Sequence, residues 1–469
     1  MTYFFETYGC QMNSAESAAL ELVCRERGWT ACADGENADL VLLNTCSVRI
    51  TAEQRVMGRI AYYAACKKKK GRAAQTPILV IAGCMAERLG ESLKEKCPAV
   101  NYVMGTQARS IFPFILEAAE KGGGAYTEKD RPEIPASSSA QFSFSKIHFE
   151  EGQFRSFIPI MHGCNNFCSY CIVPYVRGRE VSRDPRFIAE EIKIAGERGV
   201  REITLLGQNV NSYLWNGNGD IVDFPGGNLD FPRGKLDFPK LLELAARAAG
   251  QSGVRWIRFL SANPKDFSRD SIRVMAENPV FCRHLHLCVQ HGSNCILKAM
   301  NRGYTREQYL ALADEIRSAM PGITFSTDIL VGFPGETEED LEQVLTLMEE
   351  VRFLYSYMYH FNPREGTAAY ALPGRIDEKT KRERLGRVIA LQKKHTALLL
   401  KSRIGQKELV LIEGISRKNA DELVCRTERD EMVVVPGPAK LTGTFSALTL
   451  SGLRGNTFRA KEICPCPGV

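Results

Sequence analysis

Cys164, Cys168 and Cys171 lie within His162-Gly163-Cys164-Asn165-Asn166-Phe167-Cys168-Ser169-Tyr170-Cys171, spaced as Cys-x-x-x-Cys-x-x-Cys. Three thiolates on one short loop can hold three irons of a [4Fe-4S] cluster and leave the fourth iron open. An open iron can bind a small molecule and pass it an electron. A structural zinc site would want a fourth ligand and usually paired Cys-x-x-Cys spacings. A second set is scattered: Tyr8-Gly9-Cys10, Asn44-Thr45-Cys46 and Ala82-Gly83-Cys84 each close an apolar run.

Strands must present these groups. Between residues 1 and 120 the apolar runs 3–8, 40–44 and 78–82 are each followed by a helical pattern, which reads as an open parallel α/β domain. The carboxyl ends of such strands form one crevice, so Cys10, Cys46 and Cys84 can converge without being sequence neighbours. Each would lie near a helix N-terminus, which favours thiolate. Three ligands again suit a [4Fe-4S] cluster with a free iron, and sulfur is a natural cargo for that iron. Residues 121–149 read as a linker. From 150 to 376, runs at 157–161, 202–206, 255–260, 284–289, 324–331 and 355–361 alternate with helical patterns, giving a partial TIM-like (βα)6 barrel with function at its C-terminal strand ends. Thr337-Glu338-Glu339-Asp340 predicts a capping box. An Asp-Phe-Pro repeat (Val222-Asp223-Phe224-Pro225, Leu229-Asp230-Phe231-Pro232, Leu236-Asp237-Phe238-Pro239) recurs every seven residues and reads as an inserted loop, about 214–239, without chemistry. A basic connecting helix is expected over 377–404. The tail, 405–466, is Val/Leu-rich with frequent turns, the pattern of a small antiparallel β-barrel.

The 469 residues exceed one ordinary domain, and 44% apolar content is ordinary for globular chains. The net charge of +6 is too dilute to imply nucleic-acid binding by itself. Its distribution says more: residues 370–404 hold ten Lys/Arg against three Asp/Glu, and Lys67-Lys68-Lys69-Lys70-Gly71-Arg72 forms a second run. Both are either solvated helix faces or phosphate contacts. With no apolar run of membrane length and an N-terminus unlike a signal peptide, a cytoplasmic protein without a membrane partner is expected. There, clustered thiols mean metal or catalysis rather than disulfides.

The Cys164/Cys168/Cys171 loop, with an aromatic residue before the last cysteine, resembles that of radical S-adenosylmethionine (SAM) enzymes. Together with Thr7-Tyr8-Gly9-Cys10-Gln11-Met12-Asn13, the spaced cysteines of the first domain and Gly207-Gln208-Asn209-Val210-Asn211-Ser212-Tyr213, it makes the chain resemble the radical SAM methylthiotransferase family. Within that family it is most similar to the tRNA 2-methylthio-N6-dimethylallyladenosine synthases. The tail, with Gly405-Gln406-Lys407 and Glu413-Gly414-Ile415-Ser416-Arg417-Lys418, resembles the RNA-binding TRAM barrel. The resemblance implies two [4Fe-4S] clusters, one on Cys164, Cys168 and Cys171 and one on Cys10, Cys46 and Cys84, with two SAM molecules used per turnover. It implies SAM contacts at Gly207, Gln208, Asn209, Gln290, Gly292, Val331 and Gly332, where glycines allow close backbone approach. No catalytic side chain beyond the cluster ligands is implied. The reaction would add a methylthio group to C2 of N6-isopentenyladenosine beside a tRNA anticodon. An anticodon stem-loop suits such chemistry because its unpaired bases can be splayed out. An electron donor such as flavodoxin or ferredoxin is implied, and the sulfur donor stays unknown.

Departures from the family pattern are few. Cys288 stands where proline is more frequent, His291 where serine is, and Cys425 where the tail pattern has glycine, which puts the local turn in doubt. The remaining cysteines read as structural. The alternatives are a sister methylthiotransferase acting on N6-threonylcarbamoyladenosine, more distantly one acting on a ribosomal-protein aspartate, and, in another class, a non-catalytic iron–sulfur RNA-binding protein.

Overall fold

The computed structural model describes residues 1–47, 50–70, 77–121, 152–217 and 234–463. The expected linker beyond residue 121, the first two Asp-Phe-Pro copies, Arg72 and the Cys464-Pro465-Cys466 tail lie outside the described residues. The described chain clusters into two compact units. One holds the residues up to 121 with Met161–Phe167 and Cys171–Arg183. The other holds 152–160, Cys168–Tyr170 and Asp184 onward.

In the first unit, β1 (Thr2–Thr7), β2 (Thr30–Ala31), β3 (Leu40–Thr45), β4 (Ile78–Gly83) and β5 (Tyr102–Met104) form a sheet in the order β2-β1-β3-β4-β5. All its pairings are parallel. Every residue of β3 is buried, as expected of a central strand covered on both faces. Leu40 and Leu42 join one core with Val80 and Phe112, while Val41 and Leu43 join the opposite core with Tyr63 and Leu79. That alternation is the period of two of a strand.

Residues 161–183, read from sequence as part of the barrel domain, mostly belong to this first unit. The reason is packing: Ile172 and Val176 cluster with Cys84, and the Thr106 hydroxyl bonds the Val176 carbonyl.

The second unit opens with β6 (Arg155–Pro159); β7 (Met161–His162) and β8 (Val181–Ser182) are an antiparallel pair of the first. β9 (Glu202–Leu206) is followed by β10 (Leu214–Asn216) and β11 (Lys235–Asp237), which pair antiparallel. Then come β12 (Trp256–Phe259), β13 (His284–His286), β14 (Thr324–Val331) and β15 (Tyr355–His360). Strands β12-β9-β6 and β13-β14-β15 form two all-parallel sheets. Isolated parallel bridges Ile257–Phe281 and Ala262–Leu287 link β12 to the chain around β13, which gives the expected open six-strand barrel. Thr337 and Asp340 form the expected capping box.

The third Asp-Phe-Pro copy is not loop. Leu236 is buried in β11, Asp237 caps the helix Phe238–Gly250 by accepting from Lys240 N at 3.2 Å, and Phe238 packs edge-on against Phe259. Asp at the N-cap followed by Pro in the first turn is a helix-start signal. Composition had masked it.

The basic helix is Glu378–Lys401. Behind it, β16 (Lys407–Ser416), β17 (Asn419–Thr427), β18 (Met432–Pro436), β19 (Phe445–Arg454) and β20 (Thr457–Ala460) close into a barrel. Its pairings are antiparallel except that of β18 with β20. Cys425 lies in β17 and fills the interior, so no turn exists there. This small barrel packs on the beginnings of the large barrel's strands. Trp256, first in β12, meets Phe445 edge-on at 4.7 Å. Arg258 donates to the Thr427 and Glu428 carbonyls at 3.0 and 2.6 Å, and Arg155 pairs with Glu413 at 2.7 Å.

Candidate functional site

In the first unit the sheet delivers Cys10, Cys46 and Cys84 to the carboxyl ends of β1, β3 and β4. Two glycines allow this close approach. A Cβ on Gly9 (φ +114°) would lie 2.5 Å from Cys46 Cβ and 3.1 Å from its sulfur. One on Gly83 (φ +91°) would lie 2.5 Å from the Thr45 carbonyl oxygen. Asn13 fastens the ends together: its Nδ2 donates to the Tyr8 and Thr45 carbonyls at 2.7 and 2.9 Å, and its Oδ1 faces Cys10 Sγ at 3.6 Å. Burial pushes the Cys84 thiol up to about 11, with Arg177 pulling it down and the thiols of Cys46 and Cys10 adding to the rise.

Beneath them lies a network that sequence reading missed. Glu16 is 2% exposed and accepts from Arg177 Nη1 at 2.6 Å and from Arg109. Arg177 Nη2 also donates to Asn13 Oδ1 at 2.9 Å. Burial raises the Glu16 carboxyl, but the two guanidiniums outweigh it and hold it below its ordinary range. Burial disfavours the Arg177 cation, yet Glu16, Cys84 and Cys10 keep it charged. One carboxylate facing two guanidiniums leaves a positive surplus beside the cysteines. No sequence signal marked these residues, because isolated charges in helical patterns read as solvent-facing.

The triplet's loop is held in part by the same unit. Cys164 N donates to the Gly178 carbonyl at 3.1 Å, and a Cβ on Gly163 (φ +77°) would strike the Arg179 carbonyl at 2.0 Å. Asn165 N donates to Glu180 at 3.0 Å. Phe167, itself at φ +46°, packs edge-on against Tyr175 with the Arg179 guanidinium over its ring. In the second unit, Arg302 Nη1 donates to Cys168 Sγ at 3.2 Å, and Ser169 N and Oγ donate to the Met300 and Ala299 carbonyls at 3.0 and 2.8 Å.

The other candidate residues sit at strand ends of the second unit. Gly207, Gln208 and Asn209 follow β9; Gln208 Oε1 and Asn209 Oδ1 are buried without a hydrogen-bond donor. Buried acceptors left open are the mark of a site completed by something else. Asn209 Nδ2 donates to Asp266 at 2.8 Å, which fixes that amide's direction. Gln290 adopts φ +69°, costly for a residue with a side chain, and bridges to Ile329 of β14. Val331 is buried at the end of β14.

Two glycines in this set are crowded by protein. A Cβ on Gly292 would meet the Gln343 carbonyl at 2.2 Å, in the helix Glu338–Val351, and one on Gly332 would meet Lys381 Cγ at 2.6 Å. At Gly292 the neighbour is backbone, and Gly332 also holds φ +72°, which favours glycine by itself. The Gly332 turn is clasped by Glu336, which accepts from the Gly332 and Phe333 N–H groups at 2.7 and 3.2 Å and from Arg384 Nη1 at 2.9 Å, with His291 Nε2 at 3.3 Å.

Much of the basic helix's charge is accordingly structural: Lys381 and Arg384 are buried, Arg387 pairs with Glu338 and Glu342, and Arg403 beyond it pairs with Glu431 and Glu408. Arg382, Lys393, Lys394 and Lys401 stay exposed.

The donor sets suit iron–sulfur clusters. The first unit's set is three thiols with a cationic neighbour, Arg177, and Cys10 is exposed, leaving a side for an open iron. Cys164 and Cys168 are buried and Cys171 half-buried.

The Radical SAM superfamily pattern matches residues 158–348, and that of Uncharacterized protein family UPF0004 matches residues 2–105. The chain is 47% identical to a tRNA-2-methylthio-N(6)-dimethylallyladenosine synthase of Treponema denticola, covering 98% of this chain and 99% of that protein. It is 39% identical to the protein of that name from Geobacter sulfurreducens, covering 96% and 94%. Among solved structures, the radical S-adenosylmethionine methyltransferase TsrM from Kitasatospora setae, with cobalamin and a [4Fe-4S] cluster bound, shares the fold with a TM-score of 0.56 and 16% identity over 79% of this chain and 77% of that one. Among the described residues no helix is long and apolar enough to cross a membrane.

Proposed function

The chain belongs to the tRNA-2-methylthio-N(6)-dimethylallyladenosine synthase family of radical SAM enzymes, and from that premise we propose that it adds a methylthio group to C2 of an N6-isopentenylated adenosine beside the anticodon of tRNA. The observation that carries the reading is the convergence of Cys10, Cys46 and Cys84 in a chain that also holds the Cys164/Cys168/Cys171 triplet. Two three-thiol sets provide for two open clusters, one for activation and one for cargo. An aromatic C–H is neither acidic nor electrophilic, so acid–base side chains alone have nothing to act on.

Cys164, Cys168 and Cys171 would hold one [4Fe-4S] cluster and Cys10, Cys46 and Cys84 the other. When bound, the clusters and two SAM molecules per turnover supply sulfur, a methyl group and one-electron chemistry. Gln208 Oε1 and Asn209 Oδ1 offer their open acceptors to the polar groups of SAM, and Gln290, Gly207 and Val331 line the same strand ends. Gly292 and Gly332 act by shaping the loops there. Arg177 offsets the negative charge of the cargo cluster's thiolates. Arg382, Lys393 and Lys394 on the helix, and the exposed Arg417, Lys418 and Arg454 of the small barrel, contact tRNA phosphates. The cluster that Cys164, Cys168 and Cys171 would hold needs a reductant, for which a donor of the flavodoxin or ferredoxin class would serve.

Nucleoside mass spectrometry of tRNA from a deletion strain tests the substrate. Loss of 2-methylthio-N6-isopentenyladenosine, restored by the wild-type gene, is expected. Loss of a 2-methylthio-threonylcarbamoyl nucleoside instead would move the assignment to the sister activity. If anaerobic reconstitution with dithionite and SAM gives no 5′-deoxyadenosine, the chain is no radical enzyme.

A further inference from the structure

Three side chains of the second unit meet in an arrangement that the reaction above leaves unused. His286 ends β13, Cys288 follows two residues later, and Asp328 lies within β14. His286 Nε2 is 3.3 Å from Cys288 Sγ and 3.5 Å from an Asp328 carboxylate oxygen. One nitrogen, one sulfur and one oxygen from the three residues all lie within 4.8 Å of one another. Neighbouring ligands on one tetrahedral ion sit about 3.3–3.7 Å apart, given metal–nitrogen and metal–oxygen distances near ~2.1 Å and metal–sulfur near ~2.3 Å. The His286–Cys288 and His286–Asp328 separations match that spacing.

The surroundings also resemble a ligand shell. The other ring nitrogen, Nδ1, lies 3.0 Å from Ser326 Oγ, the kind of outer partner that orients a metal-binding imidazole. The Cys288 carbonyl is held by Arg302 Nη2 at 2.7 Å and Tyr304 Oη at 3.2 Å, so the backbone presenting the thiol is fixed. His286 and Cys288 are buried, while the Asp328 side chain is 27% exposed and opens one face. Sequence alone reads Cys288 as a structural cysteine. Its position is the reverse: with proline there, only two donors would remain.

We propose that His286, Cys288 and Asp328 bind one divalent ion of the zinc class, separate from the iron–sulfur ligands and with a fourth position open to water. A nitrogen–sulfur–oxygen donor set suits zinc and its neighbours in the first transition row. The proposal stands independently of the tRNA product.

Cobalt(II) alone is the probe. Cluster-loaded protein, passed over a weak chelator, is titrated anaerobically and examined by cobalt X-ray absorption, which the cluster iron does not obscure. The unsubstituted chain should bind one equivalent more cobalt than Cys288→Ala and show one cobalt–sulfur neighbour that the variant lacks, at equal iron content. Ser326→Ala should weaken binding by about 10–100-fold. Asp328→Asn, which keeps the shape and the thiol, should weaken it by at least about tenfold and guards against a misfolded Cys288→Ala. Equal cobalt in the unsubstituted and Cys288→Ala chains, or undiminished affinity in Asp328→Asn, overturns the site. The triad is then a hydrogen-bonded group only.

Discussion

Each unit buries a carboxylate under its strand ends, and the partners differ. Glu16 faces two guanidiniums, Arg109 and Arg177, beside Cys10 and Cys84. Glu336 faces one guanidinium, Arg384, and takes its remaining hydrogen bonds from two backbone N–H groups and lies against His291. The second arrangement is a clasp that closes a turn on a helix. The first holds a surplus cation beside the three thiols of the first unit. Buried charge of similar appearance thus serves geometry in one place and electrostatics in the other.

The largest effects come from the cysteines. Cys171→Ala should abolish SAM cleavage together with tRNA modification. Cys46→Ala should lose the methylthio product while 5′-deoxyadenosine still forms, with iron falling from about eight to about four per chain. Cleavage lost in both would dissolve the division of labour.

Next are the two arginines. Arg384→Met leaves Glu336 buried without its guanidinium, at a cost of about 3–5 kcal/mol in anaerobic urea unfolding, while Arg177→Met leaves Glu16 still paired with Arg109 and should cost less. Only Arg177→Met should also lower the iron held at the first unit. Equal iron loss in both variants would erase the contrast drawn above.

Asn13→Ala leaves two backbone carbonyls without their donor and should cost about 1–3 kcal/mol, with iron lost from the same set. A smaller effect concerns pH. Burial lowers His284 to about 3, against an ordinary 6.5, where Thr324, Ser326 and Tyr355 surround it. The folded state keeps the ring neutral while the unfolded chain takes up a proton, so stability falls as pH drops through 6.5 toward 3. His284→Asn should make Tm fall less steeply between about pH 7 and about pH 5.

The legible parts share a cause. Parallel strands covered on both faces read as unbroken apolar runs, so Leu40–Thr45 and Ile78–Gly83 stood out and placed Cys46 and Cys84 at one sheet edge. β2 and β5, with two and three residues, are too short to carry such a signal. Glu16, Arg177, Glu336 and Arg384 were invisible because their partners are distant in the chain and charge alone suggests solvent. Gly292 and Gly332 drew notice for close backbone approach, but their protein neighbours, Gln343 and Lys381, lie 51 and 49 residues away in sequence and could not be read from it. Leu236-Asp237-Phe238-Pro239 looked like a third loop repeat, yet its last residues begin a helix.

The small C-terminal barrel sits against Arg155, Trp256 and Arg258, at the beginnings of β6 and β12, which flank β9, the strand whose far end leads to Gln208 and Asn209. A strand of five or six residues is about 17–20 Å long. On the function proposed above, this distance acts as a ruler. An RNA that touches the small barrel while offering its adenosine at the opposite strand ends must span at least that length, so a free nucleoside or a clipped loop forfeits one grip. Affinity measured against hairpins of increasing stem length should rise in a step and then level off.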